Sequence, residues 1–220
     1  MNASDTPDSG SDLIWQSPTV QVRACSVSAM DNNVYVVTCR STGAQVLIDA
    51  ADDVSRINAL VPAGLDALDA VITTHRHWDH HRALVDVVQA GSVTTYAGAP
   101  DAEHLPAPTD VALQHGDTVR VGNLELTVVA LRGHTPGSIA LALPGGDSAG
   151  TTLLFTGDGL FPGGPGKTES AQDFTSLMDD LEERVFAVFD DSAMVLPGHG
   201  AGTTLGDERP ALGQWRQRGW

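Results

Sequence analysis

Thr74-His75-Arg76-His77-Trp78-Asp79-His80-His81 is the stretch from which the rest of this chain can be read. It follows Leu68-Asp69-Ala70-Val71-Ile72-Thr73, a β-branched and apolar run of strand length, and it precedes Ala83 to Ala90, where apolar residues recur at helical spacing. The motif therefore falls where a strand gives way to a helix, predicted over Trp78 to Ala90. In the extended part, residues two apart point to the same side, which sets the imidazoles of His75 and His77 together. Asp79 and His80 follow in the first helical turn and face them. Imidazole nitrogen and carboxylate oxygen are the ligands that zinc and similar borderline metals take, and the dipole at a helix start favours a carboxylate there. Four such groups within six positions read as a metal site.

A histidine-rich tract can also arise from composition alone. What argues against that here is the rest of the chain. Gly133-His134-Thr135-Pro136-Gly137, Thr156-Gly157-Asp158-Gly159 and Pro197-Gly198-His199-Gly200 each set one potential ligand in a Gly or Pro turn directly after an apolar, strand-like run. Loops at strand ends are where sites are built. In this order the four elements resemble the metallo-β-lactamase fold superfamily of metallohydrolases, and within it the glyoxalase II-like hydrolases.

That resemblance implies an α/β fold, the αββα sandwich of two mixed β-sheets with helices on the outer faces. It implies that His75, His77 and His134 hold one divalent metal, that Asp79, His80 and His199 hold a second, and that Asp158 bridges them. Zinc is the expected metal, with iron or manganese as alternatives. Two metals that share a hydroxide provide a nucleophile at neutral pH without a serine or cysteine; Asp79 beside it becomes the catalytic proton acceptor. Asp49, which closes the strand Gln45 to Ala50, corresponds to a residue that orients the metal site. Read from the residues alone, it serves equally well as the cap of a helix beginning near Ala51.

Strands are expected at Val20 to Ser26, Val34 to Arg40 and Gln45 to Ala50 as an antiparallel meander, then at Leu68 to Thr74 and, as an edge, Ser92 to Ala97. A helix is expected over Asp52 to Val61. Thr118 to Val121 with Leu124 to Leu131, and Ser138 to Leu143 with Thr151 to Thr156, read as hairpins. A helix from Ala171 to Asp190, a strand Ala193 to Leu196 and a terminal helix Arg209 to Arg216 complete the chain. The 220 residues suit one domain, 13–220, behind a polar disordered tail, 1–12. That tail lacks the basic start and apolar centre of a secretory signal, which points to the cytoplasm. A net charge of -16 argues against nucleic-acid and anionic-membrane partners, and no apolar run is long enough to span a bilayer. A small-molecule substrate is expected; assembly as a homodimer stays open. The turn near Asp31-Asn32 is expected to bring Cys25 and Cys39 close to opposite one another, with reduced thiols favoured over a disulfide in a cytosolic chain. His104 and His115 read as surface residues.

Substrate class turns on Leu160 to Ser170. In glyoxalase II-like enzymes an aromatic residue follows the bridging aspartate, then a Gly-rich turn ends in a basic residue that binds a carboxylate of a glutathione thioester. Phe161, Gly164, Gly166 and Lys167 match that frame, which makes Lys167 the candidate substrate-binding residue. Pro165 replaces the usual cysteine, the aromatic and glycine that usually follow are missing at Thr168 to Ser170, and few residues follow His199 in place of the separate helical C-terminal domain. The expectation is thus a hydrolase of thioesters or esters of a small substrate that can be anionic. A one-iron persulfide dioxygenase is the alternative from another reaction class. Lactonase or β-lactamase activity is a further one, and Phe161 in place of a tyrosine disfavours the lactonase.

Overall fold

The runs of apolar residues fold as two β-sheets, because the central strands carry apolar residues on both of their faces and both must be covered. The computed structural model describes residues 12–219. Of the expected tail only Asp12 falls within them, and its carboxylate pairs with Arg56 at 2.5 Å. Strands β1 (Leu13–Gln16), β2 (Val20–Val27), β3 (Asn32–Cys39) and β4 (Gln45–Ile48) form an antiparallel meander. After helix α1 (Val54–Leu60), the strands β5 (Ala70–Thr73), β6 (Thr94–Gly98) and β7 (Val111–Leu113) extend it in parallel, with α2 (Leu84–Ala90) between β5 and β6 and the short α3 (Ala99–Ala102) after β6. The second sheet contains β8 (Thr118–Val121), β9 (Leu124–Ala130), β10 (Ile139–Pro144) and β11 (Thr152–Gly157). A small hairpin, β12 (Leu160–Phe161) and β13 (Gly164–Pro165), follows. Helix α4 (Ala171–Leu181) then leads to β14 (Met194–Pro197), β15 (Thr203–Thr204) and the helices α5 (Leu205–Glu208) and α6 (Leu212–Arg218). β14 pairs in parallel with β11 and β15 closes that edge.

The period-two pattern sorts the side chains into three apolar layers. Tyr35, Val37, Val46, Ile48 and Ile72 from one sheet meet Leu126, Val128, Leu141, Leu153 and Phe155 from the other between the sheets. Their alternates Val34, Val36, Leu47 and Val71 turn outward onto Ile57 and Leu60 of α1 and Leu84 and Val87 of α2. Val129, Ala140, Leu154 and Val195 turn outward on the far side onto Leu177, Met178 and Leu181 of α4 and Trp215 of α6. This is the αββα sandwich, helices on both outer faces.

Several expectations change. The helix predicted over Trp78 to Ala90 is split: Trp78–His80 is a single tight turn, His81 leaves helical geometry at φ -145°, and α2 starts at Leu84. The N–H groups of Arg82 and Ala83 donate to the carbonyls of Ala51 and Ala50, so the loop after β4 takes the hydrogen bonds a continuous helix would have used. The strand expected at Ser92 to Ala97 is interior, because the unforeseen β7 pairs beyond it. The helix expected to reach Asp190 keeps α-helical form to Leu181 and widens into a π-helical turn over Glu182–Phe186. Cys25 pairs with Val34 and Cys39 with Val20, at opposite ends of the β2–β3 ladder, so the two thiols are far apart and free. His104 and His115 are exposed.

Candidate metal centre

The topology brings four strand ends to one place. β9 and β11 both run antiparallel to β10, hence parallel to each other, and β14 is parallel to β11. Their C-terminal ends lie at one edge, and the loops that follow carry His134, Asp158 and His199. β5 of the facing sheet ends at the same edge with His75 and His77. Hydrogen bonds tie the two rims together: Ile139 N donates to Thr74 O at 3.0 Å and Asn33 N to Gly198 O at 2.8 Å, while the Tyr35 hydroxyl donates to Pro197 O at 2.7 Å.

Among the described residues, three groups have the composition and spacing to hold a metal: His75, His77 and His134; Asp79, His80 and His199; and His75, His80 and Asp158. His75 Nε2 lies 3.1 Å from His77 Nδ1, which lies 2.9 Å from His134 Nε2. Opposite them, His80 Nε2 lies 3.1 Å from His199 Nε2, which is 3.3 Å from Asp79 Oδ2. Asp158 stands between, Oδ1 at 3.3 Å from His80 Nε2 and Oδ2 at 3.5 Å from both His134 Nε2 and His199 Nε2. A tetrahedral ion with metal–nitrogen bonds of about 2.0–2.1 Å sets its ligands roughly 3.3 Å apart. The observed spacings match that edge, and several ring nitrogens aimed at one point have no proton arrangement that satisfies them all. Asp158 Oδ1 is buried and makes no hydrogen bond, an orphan that a cation would satisfy. The residues therefore fit divalent metals.

The outward ring nitrogens fix how the inward ones point. His80 Nδ1 is 2.8 Å from Asp49 Oδ2, His199 Nδ1 donates to Met30 O at 2.7 Å and His134 Nδ1 to Lys167 O at 2.6 Å. A proton held on Nδ1 leaves the Nε2 lone pair free for a cation. His75 Nδ1 lies 3.1 Å from Thr74 Oγ1, which in turn donates to Asp49 Oδ2 at 2.8 Å. Asp49, 2 % exposed and at φ 58°, thus reaches a histidine of each group, and its Oδ1 also accepts from Thr74 N at 2.7 Å. It does not cap α1; Asp53 does.

Two residues that sequence reasoning passed over also shape the site. Asn32, fully buried, donates from Nδ2 to Asp79 Oδ2 at 3.0 Å and accepts at Oδ1 from Ser28 Oγ at 2.6 Å. Asp101, also fully buried, accepts from Arg76 N at 3.0 Å, Thr135 Oγ1 at 2.5 Å and Gly137 N at 2.9 Å, which clamps the His75–His77 loop to the His134 loop. Gly198 is required by close approach, since a Cβ there would fall 2.3 Å from Asp158 Oδ1. Lys167 is exposed; its carbonyl reaches His134 while its ammonium stays outside the cluster.

Electrostatics divide the metal-free cluster. Burial, reinforced by the charge of His80, pushes His75 well below its ordinary value, and burial with His134 lowers His77. Burial also acts to lower His80, but the neighbouring carboxylates of Asp158 and Asp49 outweigh it and raise that ring to about 10. Asp158 raises His199 as well. Burial would raise the carboxyls of Asp79 and Asp158; Asn32 and His80 for the first, and His199 and His80 for the second, overcome it and hold both below the usual carboxylate range.

The Metallo-beta-lactamase superfamily model matches residues 28–199, which span every candidate ligand. A hydroxyacylglutathione hydrolase of Jannaschia sp. (strain CCS1) is 37 % identical over 137 residues, 62 % of this chain and 51 % of that protein. The chain spans about half the length of the curated relatives it matches. Of the solved structures, ETHE1 from Myxococcus xanthus is similar at a TM-score of 0.73 and 32 % identity, covering 86 % of this chain and 81 % of that one. A chain described as TTHA1623 in a di-iron-bound form is similar at a TM-score of 0.66 and 27 % identity, covering 84 % and 96 %.

Proposed function

The chain belongs to the metallo-beta-lactamase superfamily, and on that premise we propose that it is a dinuclear metallohydrolase that cleaves thioesters or esters of a small substrate. The observation that carries the reading is the pair of three-residue groups with Asp158 set between them. His75, His77 and His134 would hold one divalent ion, Asp79, His80 and His199 the other, with zinc expected in both. Two such ions supply a Lewis acid for the substrate carbonyl and an activated water near neutral pH. Asp79 is the proton acceptor: Asn32 holds its Oδ2 at 3.0 Å, and its lowered pKa keeps it ionised for that task. Asp49 fixes the His80 tautomer and, through Thr74, steadies His75. The relatives' name supports a thioester as the scissile group.

The test is a panel of thioesters, esters, lactones, β-lactams and glutathione persulfide offered to metal-loaded protein. Thioester turnover should dominate, and Asp79→Asn should lower it by about a hundredfold or more while the fold is kept. Oxygen-dependent consumption of the persulfide without thioester turnover would favour the alternative instead, a one-iron dioxygenase. That alternative has its own support, since His75, His80 and Asp158 form a group of two histidines and a carboxylate.

A further inference from the structure

Asp101 is fully buried on α3, yet it belongs to none of the three groups of candidate ligands. Its two oxygens are filled from two loops. Oδ2 accepts from Arg76 N at 3.0 Å and from Thr135 Oγ1 at 2.5 Å, while Oδ1 accepts from Gly137 N at 2.9 Å and lies 3.8 Å from Arg76 Nε. Arg76 sits between His75 and His77, and Thr135 and Gly137 come directly after His134. The fit is close: a Cβ at Gly137 would fall 2.5 Å from Asp101 N and 2.7 Å from its Cγ. A buried carboxylate among donors costs free energy as soon as one of those hydrogen bonds is lost.

The three-histidine half needs such a tie more than the other half does. His80, His134 and His199 each turn Nδ1 outward to an oxygen and Nε2 inward. His77 is reversed: its Nδ1 points inward, 3.1 Å from His75 Nε2 and 2.9 Å from His134 Nε2, so that nitrogen cannot anchor the ring from outside. The place of the ring is then set by the backbone that carries it. That backbone is fixed at Arg76 from both sides, since its N–H donates to Asp101 and its carbonyl accepts from His81 Nε2 at 3.0 Å.

We propose that Asp101 is a positioning residue for the three-histidine half: by tying the Arg76 amide to Thr135 and Gly137 it holds His77 and His134 at the separation a shared ion needs, and so governs how tightly that half keeps its ion. The inference rests on the metal-binding part of the hydrolase reading and on no step of the reaction. Asp101→Asn is the informative substitution, because it keeps the shape of the side chain and spoils the pattern of donors. A carboxylate presents two acceptor oxygens to neighbours that donate; an amide presents one acceptor and one donor. Whichever way the amide is turned, its NH₂ meets either the Gly137 N–H or the Arg76 N–H.

The experiment measures zinc affinity by competition with a chelator. In His199→Ala, the background in which the three-histidine half keeps its ion, adding Asp101→Asn should weaken zinc binding about 10- to 100-fold. Asp110→Asn is the control: that exposed carboxylate likewise accepts from a backbone N–H and a hydroxyl, those of Thr95, both at 2.9 Å, and its loss should leave zinc affinity unchanged. Thr135→Val removes one hydroxyl from the clamp and should give a smaller loss in the same direction; it carries the test if Asp101→Asn does not fold. With His199 intact, Asp101→Asn should release the ion of the three-histidine half first, the reverse of the order expected for Asp49→Asn, since Asp49 meets His80 directly. A merely structural role would lower the melting temperature of the metal-free protein without choosing between the ions. If the parent protein binds a single ion, the dinuclear reading fails, and its release from Asp101→Asn, set against Asp110→Asn, still decides the clamp. Equal zinc affinity in Asp110→Asn and in Asp101→Asn, or in Thr135→Val where that one is used, overturns the proposal, as does the same order of loss in Asp101→Asn and Asp49→Asn.

Discussion

The two halves of the candidate metal centre are built from similar side chains and differ in what stands behind them. His75, His77 and His134 are three imidazoles; burial lowers the first two, and hydroxyl or carbonyl oxygens orient His75 and His134. The group Asp79, His80 and His199 includes a carboxylate, leans on Asp49 and Asn32, and has both of its histidines raised. The first half is thus poised to receive a cation with its lone pairs free. In the second, the raised pKa of His80 favours a proton beside the carboxylates, one that a bound cation would have to displace. Burial is shared by both halves, so the difference comes from how many carboxylates each histidine meets.

Asp158 is the residue common to both halves, and its substitution should have the largest effect. Asp158→Asn keeps the shape but removes the charge that faces His80, His134 and His199, so both ions should bind more weakly and turnover should fall by at least about a hundredfold. A variant that retained both metals and full activity would dissolve the comparison, because no shared group would then be needed.

Asp49→Asn sharpens it. Asp49 meets His80 directly and His75 only through Thr74, so metal affinity should drop about 10- to 100-fold in the half that contains His80 and less in the other. Titration with a chelator, resolving the two ions in turn, gives the order of loss. Equal weakening of both would show that Asp49 supports the loop as a whole.

A smaller effect is expected from pH on the metal-free protein. His80 rises to about 10 in the fold from an ordinary 6.5, so its contribution to stability is fully present below about 6.5 and is lost as pH climbs toward 10. His75 is depressed, so its contribution is present above 6.5 and is lost as pH falls below that value. Between pH 7 and 10 the His80 loss governs, and the melting temperature should fall by roughly 2–4 °C for each kcal/mol lost. Metal-loaded protein should lack this decline, since an ion on His80 Nε2 would leave no second ring proton to lose, and metal uptake near pH 8 should release protons. A flat melting profile for the metal-free protein over that range would contradict the assignment of the raised pKa to His80.

The same contrast explains what could be read from the chain. His75, His77, Asp79 and His80 were legible because four potential ligands crowd into six positions, and His134, Asp158 and His199 because each follows a strand in a Gly or Pro turn. Apolar alternation in strands such as Asn32–Cys39 and Leu124–Ala130 pointed only to mixed α and β, and the layering of the sheets into an αββα sandwich came from the resemblance, because alternation within a strand does not say which sheet it faces. Asn32 and Asp101 were not legible. Each is a single polar residue whose meaning comes from partners far away in the chain, Asp79 for the first and Thr135 and Gly137 for the second, and no local pattern encodes such contacts. The break at His81 escaped for a related reason: apolar spacing carries the helix back to Trp78, but the N–H groups of Arg82 and Ala83 are taken by Ala51 and Ala50. β7, three residues long, is too short to carry a period, and β1 presents three consecutive apolar residues, Leu13, Ile14 and Trp15, rather than an alternation.

The most direct test of the two-half account is metal content per chain, measured by elemental analysis on the purified protein and on His199→Ala. His199 touches the Asp79–His80 side and makes no contact with His75 or His77, and its own outward bond goes to Met30 O. The account predicts two ions per chain in the parent protein and one in the variant, retained by His75, His77, His134 and Asp158. Two ions in His199→Ala, or a single ion in the parent protein under metal-replete conditions, would contradict it.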